Sequence, residues 1–237
     1  MTTFVLVHGG WHGAWCWEKL TPLLRGAGQR VLAPDLPGHG QDRTPASERP
    51  WQRYVPSVCD LLDAADEPLI LIGHSSGGMI ISEAAAQRPD RVRTLVYLAA
   101  FLLPAGVTPP EIMRDDTESL LREALILDAT HQTVSIDSTK ARAVFYADCS
   151  DDAAAWAMRQ LQPEPVVPRD EQAAPAAAPA NVPRVYIETL HDKALGPATQ
   201  QRMYSALPCA QVFSLQTGHS PFISAPEALA ACLLRLA

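Results

Sequence analysis

The 237-residue sequence contains no run approaching the ~20 consecutive apolar residues that a membrane helix requires. Nor does it open on a signal peptide: Met-Thr-Thr leads directly into the apolar run Phe4–Val7, without a basic segment or a long apolar stretch. A cytoplasmic chain with no membrane partner is expected. Positive charge is scarce. Nineteen Lys and Arg stand against 26 Asp and Glu, giving a formal net charge of −7, and no basic patch offers itself to nucleic acid. The five cysteines, Cys16, Cys59, Cys149, Cys209 and Cys232, are odd in number, widely scattered and lack a C-x-x-C pair. That pattern favours reduced thiols over a disulfide framework. No Cys or His cluster has metal-ligand spacing. Gly9 and Gly10 are adjacent, with no G-x-G-x-x-G after them and no G-K-[ST], so dinucleotide-binding and phosphate-binding loops are both excluded.

What is present is a core-forming composition, 47% hydrophobic and 19% charged, at a length that one α/β domain can fill. Continuous apolar runs at Phe4–Val7, Arg30–Ala33, Leu69–Ile72, Thr94–Leu98, Arg184–Ile187 and Gln211–Leu215 read as strands buried on both faces. Helical patterns at about 15–26, 55–66, 77–88, 197–206 and 226–236 alternate with them. This alternation predicts a mostly parallel six-stranded sheet with helices on both faces. Some eighty residues break the rhythm. They carry helix-like stretches around 117–127, 138–147 and 151–161, then a Pro/Ala-rich passage from Gln162 to Pro183. A structureless loop of that length is unusual in a compact domain. The expected organisation is a core of 1–103 and 181–237, with 104–180 inserted as a small helical cap and a Pro/Ala-rich return linker.

Gly73-His74-Ser75-Ser76-Gly77-Gly78 lies between an expected strand and an expected helix. That context makes G-x-S-x-G a nucleophile elbow, with glycine both two before and two after Ser75. Ser76, next in line, is placed to give one backbone N–H to an oxyanion hole, and Gly10 in the loop His8–Trp15 to give the second. Seven histidines compete for the role of base. His219 alone follows the last expected strand, where it would reach over the sheet edge toward Ser75. Asp192, past the end of the strand before it, is expected to orient the imidazole. Trp11 and Phe101 are candidate walls of the substrate pocket.

With these residues in place, the chain resembles the α/β-hydrolase family that includes plant salicylate methylesterases, hydroxynitrile lyases and bacterial pyrethroid-hydrolysing carboxylesterases. The resemblance spans nearly the whole chain. It rests on His8–Trp15, on Ala33-Pro34-Asp35-Leu36-Pro37-Gly38-His39-Gly40, on the Gly73–Gly78 elbow, on Tyr97-Leu98-Ala99-Ala100-Phe101, on Tyr186–Lys193 and on Gly218-His219. It is weakest over the cap. The resembling lyases carry a lysine after the base histidine and a threonine in the first loop, where this chain has Ser220 and Gly9. A lyase needs a cation for departing cyanide, so the resemblance implies ester hydrolysis. A serine carboxylesterase acting on a small-molecule ester, with no metal or organic cofactor, is therefore expected. Two alternatives are a hydroxynitrile lyase-like enzyme and a non-catalytic ligand receptor on the same fold. Serine rather than aspartate at the elbow excludes haloalkane dehalogenase and epoxide hydrolase chemistry. The oligomeric state is not legible; a homodimer is compatible with the sequence.

Overall fold

Strand β1 (Thr3–Val7) has four consecutive residues, Phe4 to Val7, fully buried, and β3 (Leu69–His74) is buried along its whole length. Only a strand covered on both faces tolerates such a run. Successive side chains point to opposite faces, so the same run feeds two cores. Phe4, Leu6, Ile70 and Ile72 join one cluster, while Val5, Val7, Leu69 and Leu71 join the other. With β2 (Arg30–Leu32), β4 (Val92–Leu98), β8 (Arg184–Thr189) and β9 (Gln211–Leu215) they form a six-stranded sheet in the order β2-β1-β3-β4-β8-β9, parallel throughout. The computed structural model from which this is read describes residues 1–48, 50–167 and 176–237.

Helices α1 (Leu20–Gly26), α2 (Tyr54–Asp63) and α3 (Gly77–Gln87) connect the first four strands. After the cap, α8 (Pro197–Ala206) lies between β8 and β9, and α9 (Pro221–Ser224) and α10 (Pro226–Leu234) close the chain. The chain runs outward from β1 to β2, then returns to place β3 on the other side of β1. Loops leaving the C-terminal ends of β1 and β3 therefore diverge, and such a switch point is where parallel sheets hold ligands. The loop after β1 and the Gly73–Gly78 turn both lie there.

Between β4 and β8 the described residues form four short helices, α4 (Pro109–Arg114), α5 (Leu121–Ala124), α6 (Ala141–Phe145) and α7 (Asp151–Gln160). They are not the whole of this segment. Of the helix-like stretch expected around 117–127, only α5 is helical, and it stops at Ala124. The chain then enters β5 (Leu125–Asp128), which pairs antiparallel with β6 (Thr133–Ile136), itself paired with β7 (Glu164–Pro165). Leu125, Ile126 and Leu127 are 42, 52 and 66% exposed, so no buried face gave this strand a pattern distinct from a helix. The expected return linker likewise begins with a strand, β7; its middle, residues 168–175, lies outside the described residues.

The central strands carry the stability of this design. Ile70→Ala, at a fully buried position in β3, is expected to lower the unfolding free energy by about 2–5 kcal/mol. Urea titration of the two proteins checks this; a change below about 1 kcal/mol would contradict the packing described.

Candidate active site

The turn from β3 into α3 is sharp enough to force Ser75 to φ +53°, a left-handed conformation rare for a residue with a side chain. Hydrogen bonds hold it there. Ser75 N–H donates to Leu98 O at 3.2 Å, and its carbonyl accepts from Gly78 N at 3.1 Å and Phe101 N at 3.0 Å. The flanking glycines are required by space. A Cβ on Gly73 would lie 2.6 Å from Gly77 O, and one on Gly77 would lie 2.8 Å from His8 O. The first glycine lets strand and helix meet, and the second lets α3 approach the loop after β1.

Asp192 and His219 meet as a buried pair, with Nδ1 of His219 2.8 Å from Oδ2 of Asp192. The carboxylate is heavily solvated by the protein. Its Oδ1 accepts from the N–H groups of Ala194 (2.7 Å) and Leu195 (2.9 Å), and its Oδ2 accepts from Thr189 Oγ1 (2.8 Å) and Gln200 Nε2 (3.0 Å). Surrounded by donors, Asp192 can only accept from the histidine, which places the proton on Nδ1 and leaves Nε2 with the lone pair. The backbone of His219 is tied to the elbow: its carbonyl accepts from Nε2 of His74, the residue before Ser75, at 3.0 Å. Its loop is also held from the cap, where Asp148 Oδ2 accepts from Gly218 N at 2.8 Å. Gln200 and Asp148 carried no sequence signal, since neither stands in a motif, and Thr189 lay in the Tyr186–Lys193 stretch without being singled out.

Gly10 and Ser76 come together across the switch point. The Gly10 N–H donates to the side chain of Ser76, with Oγ at 2.7 Å. Trp11 is half-buried against Phe145 with ring centroids 5.9 Å apart. Phe101 is buried in the second core cluster, and its backbone N–H supports Ser75. Three more histidines crowd the site as neutral groups. Burial lowers the pKa of His8 to about 4 and that of His12 to about 3, and holds His74 well below its ordinary value. His12 Nδ1 donates to Gly10 O at 2.9 Å while its Nε2 accepts from the Tyr146 hydroxyl at 2.8 Å, so the neutral ring is fully satisfied. Among the described residues no cluster of His, Cys, Asp or Glu could hold a metal ion, and no helix is long and apolar enough to cross a membrane.

The model of the alpha/beta hydrolase family matches residues 4–232. The chain belongs to that family. It is 33% identical to a pheophorbidase from Raphanus sativus over 98% of this chain and 92% of the relative. It is 32% identical to a pyrethroid hydrolase from Sphingobium wenxiniae over 97% and 85%. Among solved structures, a methylesterase from Arabidopsis superposes with a TM-score of 0.81 at 27% identity, covering all of this chain and 98% of that one. Methylesterases and pyrethroid hydrolases are the groups that the sequence resembled, and the chain is an ester hydrolase of this family.

The buried neutral histidines set an acid limit on the fold. Their pKa values are lower folded than unfolded, so below about pH 6.5 the unfolded chain binds protons that the native state excludes, and stability falls with pH. The contribution of His8 and His12 is intact above pH 6.5 and is lost progressively toward pH 4 and 3. Urea midpoints are expected to drop from pH 7.5 to pH 5, with a shallower slope in His12→Gln. Identical slopes in the two proteins would contradict the assignment.

Proposed function

We propose that the protein is a serine carboxylesterase working through an acyl-enzyme on Ser75. The observation that carries this reading is the Asp192–His219 pair, buried and hydrogen-bonded at 2.8 Å beside a strained elbow that presents Ser75. Ser75 Oγ attacks the ester carbonyl as His219 Nε2 takes its proton, and Asp192 stabilises the imidazolium that forms. The N–H groups of Gly10 and Ser76 receive the oxyanion; the latter stands at the N-terminus of α3, where the helix dipole favours negative charge. Each such donor is worth roughly 2.7–4 kcal/mol in the transition state. His219 returns the proton to the leaving alcohol. Water then attacks the acyl-enzyme, giving its proton to the same histidine, which passes it to Ser75 as the acid departs.

The Ser76 hydroxyl, on the Gly10 N–H in the free enzyme, must yield that donor to the substrate's carbonyl oxygen. Three features support small-molecule esters as substrates: the pheophorbidase, pyrethroid hydrolase and methylesterase relatives, the covering cap, and Ser220 standing where a lyase has a lysine. Trp11 and Phe101 remain candidate walls, the former the more accessible of the two.

Turnover of p-nitrophenyl acetate, butyrate and octanoate tests the reading. Wild-type protein is expected to hydrolyse the shorter esters, Ser75→Ala to lose at least about a thousandfold in kcat, and Asp192→Asn to lose about 10³–10⁴. A Ser75→Ala variant as active as wild type would reject the nucleophile. A wild-type chain that binds esters without turnover would bring back the receptor.

A further inference from the structure

Trp11, directly after Gly10, is the second strained residue of the site, at φ +64°. Left-handed backbone at a bulky residue persists only where the surroundings over-determine it. Here the surroundings are the cap. The Trp11 N–H donates to Glu164 Oε2 at 3.0 Å, its carbonyl accepts from Gln162 N at 3.0 Å, and its indole Nε1 donates to Val134 O at 2.9 Å. The residue that fixes the direction of the neighbouring Gly10 N–H is thus bonded to the cap through all three of its polar groups.

One of their partners, Glu164, is a carboxylate, an awkward neighbour for an oxyanion hole. A methyl group on Gly10 would come within 3.3 Å of Glu164 Oε2 and 3.6 Å of Ser76 Oγ, so the carboxylate and the hole flank the same glycine. At an effective dielectric near 20, a bare negative charge about 6 Å from a developing oxyanion would slow its formation roughly a hundredfold. The charge is not bare. Glu164 Oε2 lies 2.9 Å from Nε2 of His39, which is 1% exposed, and Oε1 accepts from the Tyr54 hydroxyl at 3.2 Å. The other ring nitrogen of His39, Nδ1, faces Pro37 O at 3.2 Å and the Tyr54 hydroxyl oxygen at 3.5 Å, which can only accept because its proton is donated to Glu164. A carbonyl oxygen can only accept, and so can a carboxylate, so both bonds are made at once only by a ring carrying two protons. Burial opposes that charge. The charge and hydrogen bond of Glu164 more than offset it, leaving the His39 pKa raised, and burial of Glu164 is likewise outweighed by His39.

We propose that His39 is a charge-compensating partner that lets Glu164 clamp the oxyanion-hole loop without opposing the oxyanion. Both are positioning residues: Glu164 acts through Trp11, and His39 acts through Glu164. The inference rests on the reading of Gly10 as an oxyanion donor in ester hydrolysis. It makes a prediction that a purely structural network does not. If the bonds mattered only as bonds, removing both partners would be worse than removing either. If compensation matters, removing the carboxylate's charge repairs the loss of the histidine.

The experiment measures kcat and KM for p-nitrophenyl butyrate at pH 8 in wild type, His39→Asn, Glu164→Gln and the double variant, per fluorophosphonate-titrated site. His39→Asn is expected to lose about tenfold or more in kcat, with KM changed less than about threefold. Glu164→Gln, whose amide oxygen still accepts from Trp11 N–H, is expected to lose less. The double variant should recover to within about threefold of Glu164→Gln. A double variant as slow as His39→Asn, or slower, overturns the proposal. Should His39→Asn not accumulate folded, Glu164→Gln alone decides: a kcat loss beyond about tenfold means the carboxylate's charge is itself required and overturns it, and a smaller loss supports it. Wild-type turnover abolished by Ser75→Ala but without rescue is failure of this inference alone. A wild-type chain without ester turnover removes the underlying reading and this inference with it.

Discussion

The reversal of the chain at the end of β3 governs the rest of the molecule. Within three residues a strand buried on both faces becomes a helix, and the backbone at Ser75 is held at φ +53° to make this possible. A conformation of that kind costs on the order of 1–3 kcal/mol and survives only where neighbouring structure insists on it. Leu98 at the end of β4, Gly78 at the start of α3 and Phe101 beyond β4 supply the insistence through three backbone hydrogen bonds. The two cores that sandwich β3 supply the rigidity behind them. Strain at Ser75 is thus held against a strand buried on both faces.

The segment between β4 and β8 bonds three of the loops around the candidate site. Glu164 and Gln162 hold Trp11 in the loop after β1; Asp148 holds Gly218 beside His219. The loop after β8 is held through Gly196, whose N–H donates to Asp116 Oδ2 at 2.8 Å, and through Lys193, whose carbonyl accepts from Leu120 N at 2.7 Å. Loops are the most variable and mobile parts of a parallel α/β fold. The proposed mechanism requires three of them to keep their relative positions, and acids from one inserted segment meet all three. Changes in this segment therefore act on the geometry of all three loops.

The parts legible in the sequence were those whose physics is local. Burial on both faces writes a continuous apolar run, and all six such runs became strands of one sheet. The elbow was legible because crowding at Gly73 and Gly77 leaves a fixed spacing around the serine. Asp192 and His219 followed from chain order and do meet. The cap sheet was not legible, since Leu125–Asp128 is largely exposed and its apolar residues have no buried side to alternate against. Glu164 was hidden for a different reason. It sits among prolines, and its partners His39, Tyr54 and Trp11 are more than a hundred residues away in the chain. A long-range ion pair leaves no periodicity, so nothing nearby in the sequence marked it.

The central claim, that Ser75 is the group acylated by substrate, is tested most directly by trapping it. Purified protein treated with a fluorophosphonate and digested for peptide mass mapping is predicted to carry one adduct, located by fragmentation to Ser75 and absent from Ser76. Modification confined to Ser76 or to another residue, or no modification of folded protein, would contradict it.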